Sequence, residues 1–462
     1  MAGTWAKAGF DLHLDVAGKR VRAGLENALR DAVRTGRLGP GTPLPSSRTL
    51  AADLGVARNT VAEAYGQLVA EGWLVARRGA GTRVGDRPPA VEAAATPAPA
   101  LARPPRYDLR PGTPDLSAFP RAAWLAAARK ALAAAPYDAL GYYADPRGRP
   151  ELRSALAEYL ARTRGVRVTP DRLVICSGFA QGLSLLCTVL RARGATGLAV
   201  EGYVRRRYRE AASACGLRPR AVGLDAHGAV IAELGDADAA LLTPAHQFPT
   251  GVPLAPRRRT EAVAWAEATG GLVIEDDYDG EFRYGRQPLG AVQALAPEHV
   301  VYAGTASKAL VPGLRLGWLV LPARLVDEVA TAKALADGHS STPDQLTLAE
   351  LLVSSAYDRH VRRSRIAYRR RRDRLVAELG RRAPHVRVTG IAAGLHALVE
   401  LPDGRDEDEL VARGAEHGLA LEGLGAYATE RSRHGPALVV GYGTPPEHAF
   451  TAALARLVAV LG

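Results

Sequence analysis

Long apolar runs are missing from this chain, and none approaches the length of a membrane span, so no bilayer-crossing helix is expected. The first twenty residues, "MAGTWAKAGFDLHLDVAGKR", place acids where an export signal needs an unbroken apolar core; no signal peptide is read, and the cytoplasm is the expected compartment. Cysteine is scarce. Its three copies, Cys176, Cys187 and Cys215, lack metal-ligand spacing and cannot all pair, which argues against a disulfide framework or thiolate metal centre and leaves buried, reduced thiols. No internal repeat, metal cluster or Ser/His/Asp set is legible, so no catalytic residue is assigned. What is present is an ordinary globular composition, 47% hydrophobic and 23% charged, spread over 462 residues, too many for one compact domain. A net charge of +12 and a pI near 9.8 point to a polyanionic partner without identifying it.

One composition break divides the chain. "DRPPAVEAAATPAPALARPPR", 86–106, is rich in Pro and Ala and reads as a semi-extended linker. Residues 1–85 then form a small module with twelve Lys and Arg against seven Asp and Glu, and 107–462 hold a large α/β unit with a smaller appendage. A second basic run, "RHVRRSRIAYRRRRDRL" at 359–375, has Val361, Ile366, Tyr368 and Leu375 on one expected helix side and reads as a solvated helix face.

In the small module, "LPSSRTLAADLGVARNTVAEAYGQLVAEGWLVARRGAGTRV" (44–84) carries two helical periodicities separated by "LGV", then a strand pair around "RRGAG". Ser46 or Ser47 can cap a helix bearing Leu50, Ala51 and Leu54; Ala57 or Arg58 opens another with Val61, Ala64, Tyr65 and Leu68 inward. A helix pair with a tight glycine turn fits a helix-turn-helix as well as any small bundle, and the strand pair favours the former by supplying a basic wing. The run "PSSRTLA…LGVARNTV…AYGQL…EGW" resembles the winged helix-turn-helix of GntR-type bacterial repressors over nearly its whole length. That resemblance implies a double-stranded DNA operator as partner, contacted by Ser46, Arg48, Arg58, Asn59 and Thr60, with Arg78 and Gly79 from the wing. Ala62 stands where the family often has a basic residue, which bears on operator sequence.

The large unit contains "AGTASKALVPGLRLGW", 303–318, with a lysine alone among small and apolar residues. A buried amine loses proton affinity and becomes a nucleophile toward aldehydes, although a lone lysine of this kind ordinarily snorkels to the surface. Its company decides the matter. "GGLVIEDDYDGEF", 270–282, is a buried-strand pattern ending in acids, and "RLVICSGFAQGLSLLCTVL", 172–190, is strand, glycine turn and helix, which leaves free amides for a phosphate. Arg315 adds a fixed cation. Lysine, acid and phosphate cradle are the parts that hold pyridoxal 5'-phosphate. With "YYADPRGRPELRSALAEYL", "HQFPTG" and "EDDYDGEFRY" in the same order, the unit resembles fold type I aminotransferases over 107–462, and the whole layout resembles the MocR-type subfamily of GntR regulators, which includes regulators of pyridoxine biosynthesis.

The resemblance implies a multi-domain fold: an α+β winged helix-turn-helix plus an α/β fold type I transferase with a small C-terminal α+β subdomain. Lys308 would carry the cofactor as a Schiff base, Asp276 would face the pyridine nitrogen, Tyr278 the ring hydroxyl and Tyr203 the ring face. Phe179 and Ala180 would offer amides to the phosphate, followed by Gln181, with Thr305 and Arg315 as side-chain ligands. Tyr143 would reach a neighbouring subunit's phosphate, which implies a homodimer.

Two departures bear on function. Phe248 replaces the asparagine that precedes "PTG" in aminotransferases, leaving His246 or Gln247 to make its bond. Val439 falls where the family carries the arginine that grips a substrate carboxylate, although an arginine of "VRRRY", 204–208, could substitute. The expectation is a cofactor-bound sensor of a small molecule, the cofactor itself or an amine, acting on DNA, with vitamin B6 synthesis as the expected regulated process. The rival is an active aminotransferase with an accessory DNA module. "GLGAYA", 423–428, is discounted as a dinucleotide fingerprint because no strand pattern precedes it.

Overall fold

The structure is a computed structural model that describes residues 21–77, 81–85, 105–141, 145–285 and 289–462. It divides into two compact units, Met1–Arg103 and Pro104–Gly462. Of the segment read as a linker, only Pro105 and Arg106 fall among the described residues.

The first unit packs helices Val21–Arg34, Ser47–Leu54 and Arg58–Ala70 beside an antiparallel hairpin, Leu74–Arg77 with Gly81–Val84. Ser46 caps the middle helix by accepting the Thr49 amide at 3.1 Å, a contact worth about 1 kcal/mol. That helix ends on Gly55 at φ 66°, a left-handed geometry that favours glycine and produces the sharp turn the "LGV" spacing predicts. Val61, Ala64, Tyr65 and Leu68 are buried against Leu25, Leu29, Leu50 and Leu74, as the periodicity requires. Tyr65 spans the turn by donating to the Pro45 carbonyl at 3.1 Å.

The second unit is built on a seven-stranded sheet in the order Leu173–Cys176, Gly317–Val320, Val300–Thr305, Leu272–Asp276, Ala239–Leu242, Gly197–Glu201, Arg218–Val222. Gly317–Val320 runs antiparallel to both neighbours; the other pairings are parallel. The central strands read as continuous apolar runs because both faces are covered, and their residues are buried throughout. Parallel strands also send their carboxyl ends to one rim, and that rim receives Cys176, Glu201, Asp276 and Thr305. A smaller antiparallel sheet, Arg387–Thr389, Ala397–Glu400 and Ala437–Val440, forms the C-terminal part. The three cysteines are unpaired, two buried and one partly so. Among the described residues no helix is long and apolar enough to cross a membrane.

The long helix Ala356–Arg382 corrects one expectation. Val361, Tyr368 and Leu375 are buried, but Ile366 is 49% exposed, and the inward stripe runs instead through Val361, Ser364, Tyr368, Arg371, Leu375 and Leu379. Five residues beyond Val361 is well over a quarter-turn off its face, so Ile366 could not share the stripe. Arg371 takes an inward position, tied to Asp115 and Glu447 at 2.7 Å each.

Candidate functional site

The glycine turn after the first sheet strand behaves as its sequence pattern requires. Gly178 sits at φ 81° and opens the helix Phe179–Ala192, whose first amides have no acceptor within the helix. The Arg315 guanidinium lies against this turn, bonded to the Ser177 carbonyl and 3.2 Å from where a Gly178 Cβ would stand. Gln181 does not point into the cradle. Its side chain accepts the Ser177 amide and donates to Asp337, both at 2.7 Å, so it holds the turn in shape. Thr305 is likewise tied inward, to Ser307 at 2.9 Å and the Leu316 carbonyl at 3.1 Å. Ser307 is a polar neighbour that the sequence reading overlooked.

Lys308 and Asp276 meet in one narrow cavity with Tyr203, Arg205, Tyr278 and His396 among its lining. Lys308 reaches the Gly112 carbonyl. Burial, followed by the neighbouring charges of Arg205 and Arg207, lowers its pKa to about 8, with Asp276 opposing. Burial also pushes the Asp276 carboxyl up to about 8, although the Lys308 charge pulls it down. Among the described residues the buried Asp276 side chain receives no hydrogen bond, which leaves its carboxyl free to accept a cationic N–H.

This leads to a pH-dependent prediction. The carboxyl is protonated in the folded chain over a range where the unfolded chain has already released the proton, so Asp276 lowers stability as pH rises from about 4 to about 8. Cofactor-free Asp276→Asn protein should therefore melt above its parent at pH 8, with the difference closing toward pH 4. Superimposable melting temperatures across that window would contradict the argument.

The segment "HQFPTG" is rearranged relative to expectation. Gln247 is not free to reach a ligand: its amide donates to Tyr203 O at 2.9 Å and Phe248 O at 2.6 Å while its oxygen takes the Thr250 amide and hydroxyl. His246 stands behind Tyr278. Its Nδ1 lies 2.8 Å from Asp279 and 3.1 Å from the Tyr278 hydroxyl, which donates to the His246 carbonyl at 2.9 Å. Neither side chain takes the asparagine's place in the cavity; Phe248 occupies the wall with its ring 4.2 Å beneath the Arg205 guanidinium. Together with His396, whose burial holds it neutral, His246 and Asp279 form a compact buried group that the sequence did not disclose, because the two elements join only on folding. Val439 is fully buried opposite Leu398, and Arg205, from "VRRRY", is the one arginine lining this cavity among the described residues. "GLGAYA" forms a short 3-10 turn whose Tyr427 carbonyl accepts the Val204 amide, a structural support. Tyr143 lies outside the described residues.

The other candidate face lies on the first unit. Ser46, Arg48, Arg58 and Asn59 are exposed and Thr60 partly so, gathered at the N-terminal ends of the second and third helices. Arg22, Arg30 and Arg34 are each held by acids, whereas neither Arg48 nor Arg58 has an ion-pair partner among the described residues. Arg78 and Gly79 of the expected wing lie outside those residues.

Residues 112–428 match the aminotransferase class I and II family, and residues 22–84 match the bacterial regulatory proteins of the gntR family. The chain belongs to the MocR-type GntR regulators. It is 36% identical to the HTH-type pyridoxine biosynthesis transcriptional regulator PdxR of Corynebacterium glutamicum, over 87% of this chain and 88% of that one. It is 31% identical to the HTH-type transcriptional regulator TauR of Rhodobacter capsulatus, with 86% and 87% covered, and 31% identical to the probable rhizopine catabolism regulatory protein MocR of Rhizobium meliloti, with 76% of each covered. Among solved structures, an archaeal alanine:glyoxylate aminotransferase shares the fold, with a TM-score of 0.70 at 24% identity over 77% of this chain and 90% of that one. The α-aminoadipate aminotransferase LysN from Thermus thermophilus, complexed with N-(5'-phosphopyridoxyl)-L-leucine, gives 0.68 at 25% identity over 77% and 91%. The chain is thus a transcriptional regulator with a GntR helix-turn-helix and an effector unit of aminotransferase fold.

Proposed function

We propose that this regulator binds pyridoxal 5'-phosphate on Lys308, acts as a cytoplasmic homodimer on a double-stranded operator, and uses the aminotransferase-like unit, residues 107–462, as a sensor joined by the 86–106 segment to the DNA-binding unit, residues 1–85. The observation that carries the reading is the pairing of a low-pKa lysine with an unpartnered buried acid in one cavity. The donor set fits the cofactor: Asp276 would meet a protonated ring nitrogen, Tyr278 the ring hydroxyl, Tyr203 the ring face, and Phe179, Ala180 and Arg315 the phosphate, with Thr305 joining them once its hydroxyl turns from Ser307 and the Leu316 carbonyl. Gln181 shapes that cradle from behind, and by the family resemblance Tyr143 would complete it from the partner protomer.

When bound, the cofactor would supply an electrophilic aldehyde within reach of the Lys308 amine. The chain's own residues do the rest. Arg315 and the helix amides fix the phosphate end, the Asp279–His246 pair orients Tyr278, and Phe248 keeps one wall apolar and dry. Val439 at the position of the carboxylate-gripping arginine removes a contact that positions amino-acid substrates for turnover, which favours a sensor over an enzyme. The resemblance to a pyridoxine biosynthesis regulator makes the cofactor itself the first choice of effector and vitamin B6 genes the first choice of target. A carboxylate-bearing amine is the second reading, favoured by Arg205 in the cavity.

A ligand can shift the regulator only by preferring one arrangement of the dimer over another, and that preference has to appear as a change in operator affinity. Fluorescence anisotropy on operator DNA, with and without pyridoxal 5'-phosphate at fixed salt, tests this. Affinity should change at least about tenfold, within the 1–3 kcal/mol range of ordinary allosteric coupling. Identical isotherms would reject the sensing role while leaving DNA binding intact.

A further inference from the structure

Lysine is almost never fully buried, yet Lys333, on the helix Val326–Asp337, is 0% exposed and does not line the Lys308 cavity. Its ammonium donates to Oδ1 of Asp337, one turn further along and the last residue of that helix. The second carboxylate oxygen is spent on a different element. Oδ2 accepts Gln181 Nε2 at 2.7 Å, and the oxygen of the same Gln181 amide accepts the Ser177 N–H at 2.7 Å. A continuous chain of side chains therefore runs from a buried cation to the backbone of the turn that opens the helix Phe179–Ala192.

Pairs four apart on a helix ordinarily lie in solvent and contribute little. Here the cation has been drawn inside, where it is costly unless its partner stays in place, so the pair fixes where the Asp337 carboxylate sits. Burial acts to raise the Asp337 pKa, but the bonds from Lys333 and Gln181 outweigh it and hold the carboxyl below its usual range. It is thus ionised at neutrality and accepts from both sides. At the far end, the turn is held from three directions. Gln181 takes the Ser177 N–H, the Arg315 guanidinium takes the Ser177 carbonyl, and Gly317 lies so close that a Cβ there would stand 2.8 Å from the Gly178 Cα.

We propose that Asp337, held by Lys333, is a positioning residue for the phosphate cradle, acting through the orientation of the Gln181 amide. An amide side chain has a donor end and an acceptor end, and only its oxygen can take the Ser177 N–H. Asp337 offers acceptors alone, so it draws the Gln181 NH2 toward itself and turns the oxygen toward Ser177. Without it the amide can rotate and set its own N–H groups against that of Ser177, which releases the peptide that aims the Phe179 and Ala180 amides. The role rests on the cofactor reading above and extends it to two residues that touch no ligand.

Two double variants of the full chain isolate the effect. Lys333→Met/Asp337→Ala and Lys333→Met/Asp337→Asn both remove the buried cation, but only the second keeps an oxygen for Gln181. Each is titrated, beside the parent, with pyridoxal 5'-phosphate and with pyridoxal, which carries the same aldehyde without the phosphate, and binding is read from the visible band. The Ala variant should bind pyridoxal 5'-phosphate about tenfold more weakly, the loss of one well-placed hydrogen bond, and pyridoxal as the parent does. The Asn variant should recover to within about threefold of the parent. Gln181→Met, which leaves the Lys333 pair intact, should show the same phosphate-selective loss and guards against a double variant that fails to fold. Equal losses toward both aldehydes would make the chain of contacts a structural tie only and overturn the proposal. So would an Asn variant as weak as the Ala variant, or variants that all match the parent. A parent with no band toward either aldehyde would instead overturn the cofactor reading, and the positioning role with it.

Discussion

Lys308→Ala protein should develop no visible absorption band on mixing with pyridoxal 5'-phosphate, whereas its parent does. The reason lies in the charge balance around the amine. Burial together with Arg205 and Arg207 lowers its pKa to about 8, so about a tenth of the amine is in the nucleophilic neutral form at neutrality, far above the share of an ordinary lysine. Removing the amine removes the only covalent anchor proposed, but Asp276, Arg315 and the free amides after Gly178 remain. Cofactor should therefore still bind, weakly, and be lost on gel filtration while the parent retains it. The two readouts separate the lysine's role from that of the cradle. A band that persists in the variant would place the reactive amine elsewhere. A parent without a band would make the large unit a scaffold that keeps the fold and has given up the cofactor.

Much of this arrangement was legible in the sequence because the contributing residues lie within short segments. The helix-turn-helix follows from the Ser46 cap, the Gly55 turn and an apolar period that Val61, Ala64, Tyr65 and Leu68 satisfy as a buried face. The strand bearing Asp276 and the turn at Gly178 follow from apolar runs that end in the residue types a sheet rim needs. What escaped reading depends on partners distant in the chain. His246 and Asp279 are 33 residues apart and became a pair only when the rim closed, and the same closure consumed the Gln247 amide in a turn network. Ile366 departs from the expected face because four apolar residues among many arginines define a helix face poorly, and the buried Arg371 marks that face better than Ile366 does.

The group behind Tyr278 gives the loss of the asparagine a physical account. Phe248 contributes no hydrogen bond to the cavity, but it seats the Arg205 guanidinium on its ring and abuts Tyr278 edge-on at 5.8 Å. Under the proposed cofactor binding, the cavity would exchange one polar contact at the ring hydroxyl for a cation held on the Phe248 ring. Such an exchange would weaken control over a bound cofactor's electronics and strengthen capture of an anionic group, a trade that suits recognition better than turnover.

Arg58→Ala should lower operator affinity roughly tenfold to a hundredfold, the about 1–3 kcal/mol expected for an arginine reading a base edge, and should relax preference at one operator position. Arg48→Ala should instead weaken binding to all duplexes about equally and reduce the salt dependence by about one counterion, the signature of a phosphate contact. The distinction follows from placement. Arg58 is the first residue of the third helix, the one that enters a major groove in this motif, and Arg48 lies in the first turn of the helix that crosses the backbone. Both are exposed and without an ion-pair partner among the described residues, so neither substitution should disturb the core formed by Leu50, Val61 and Leu68. Titrations at several salt concentrations, on operator and on scrambled duplex, decide between the two roles. Equal losses on both duplexes for Arg58→Ala would make it a phosphate contact and move sequence reading to Asn59 and Thr60, whose side chains hydrogen-bond base edges and need no charge to do so.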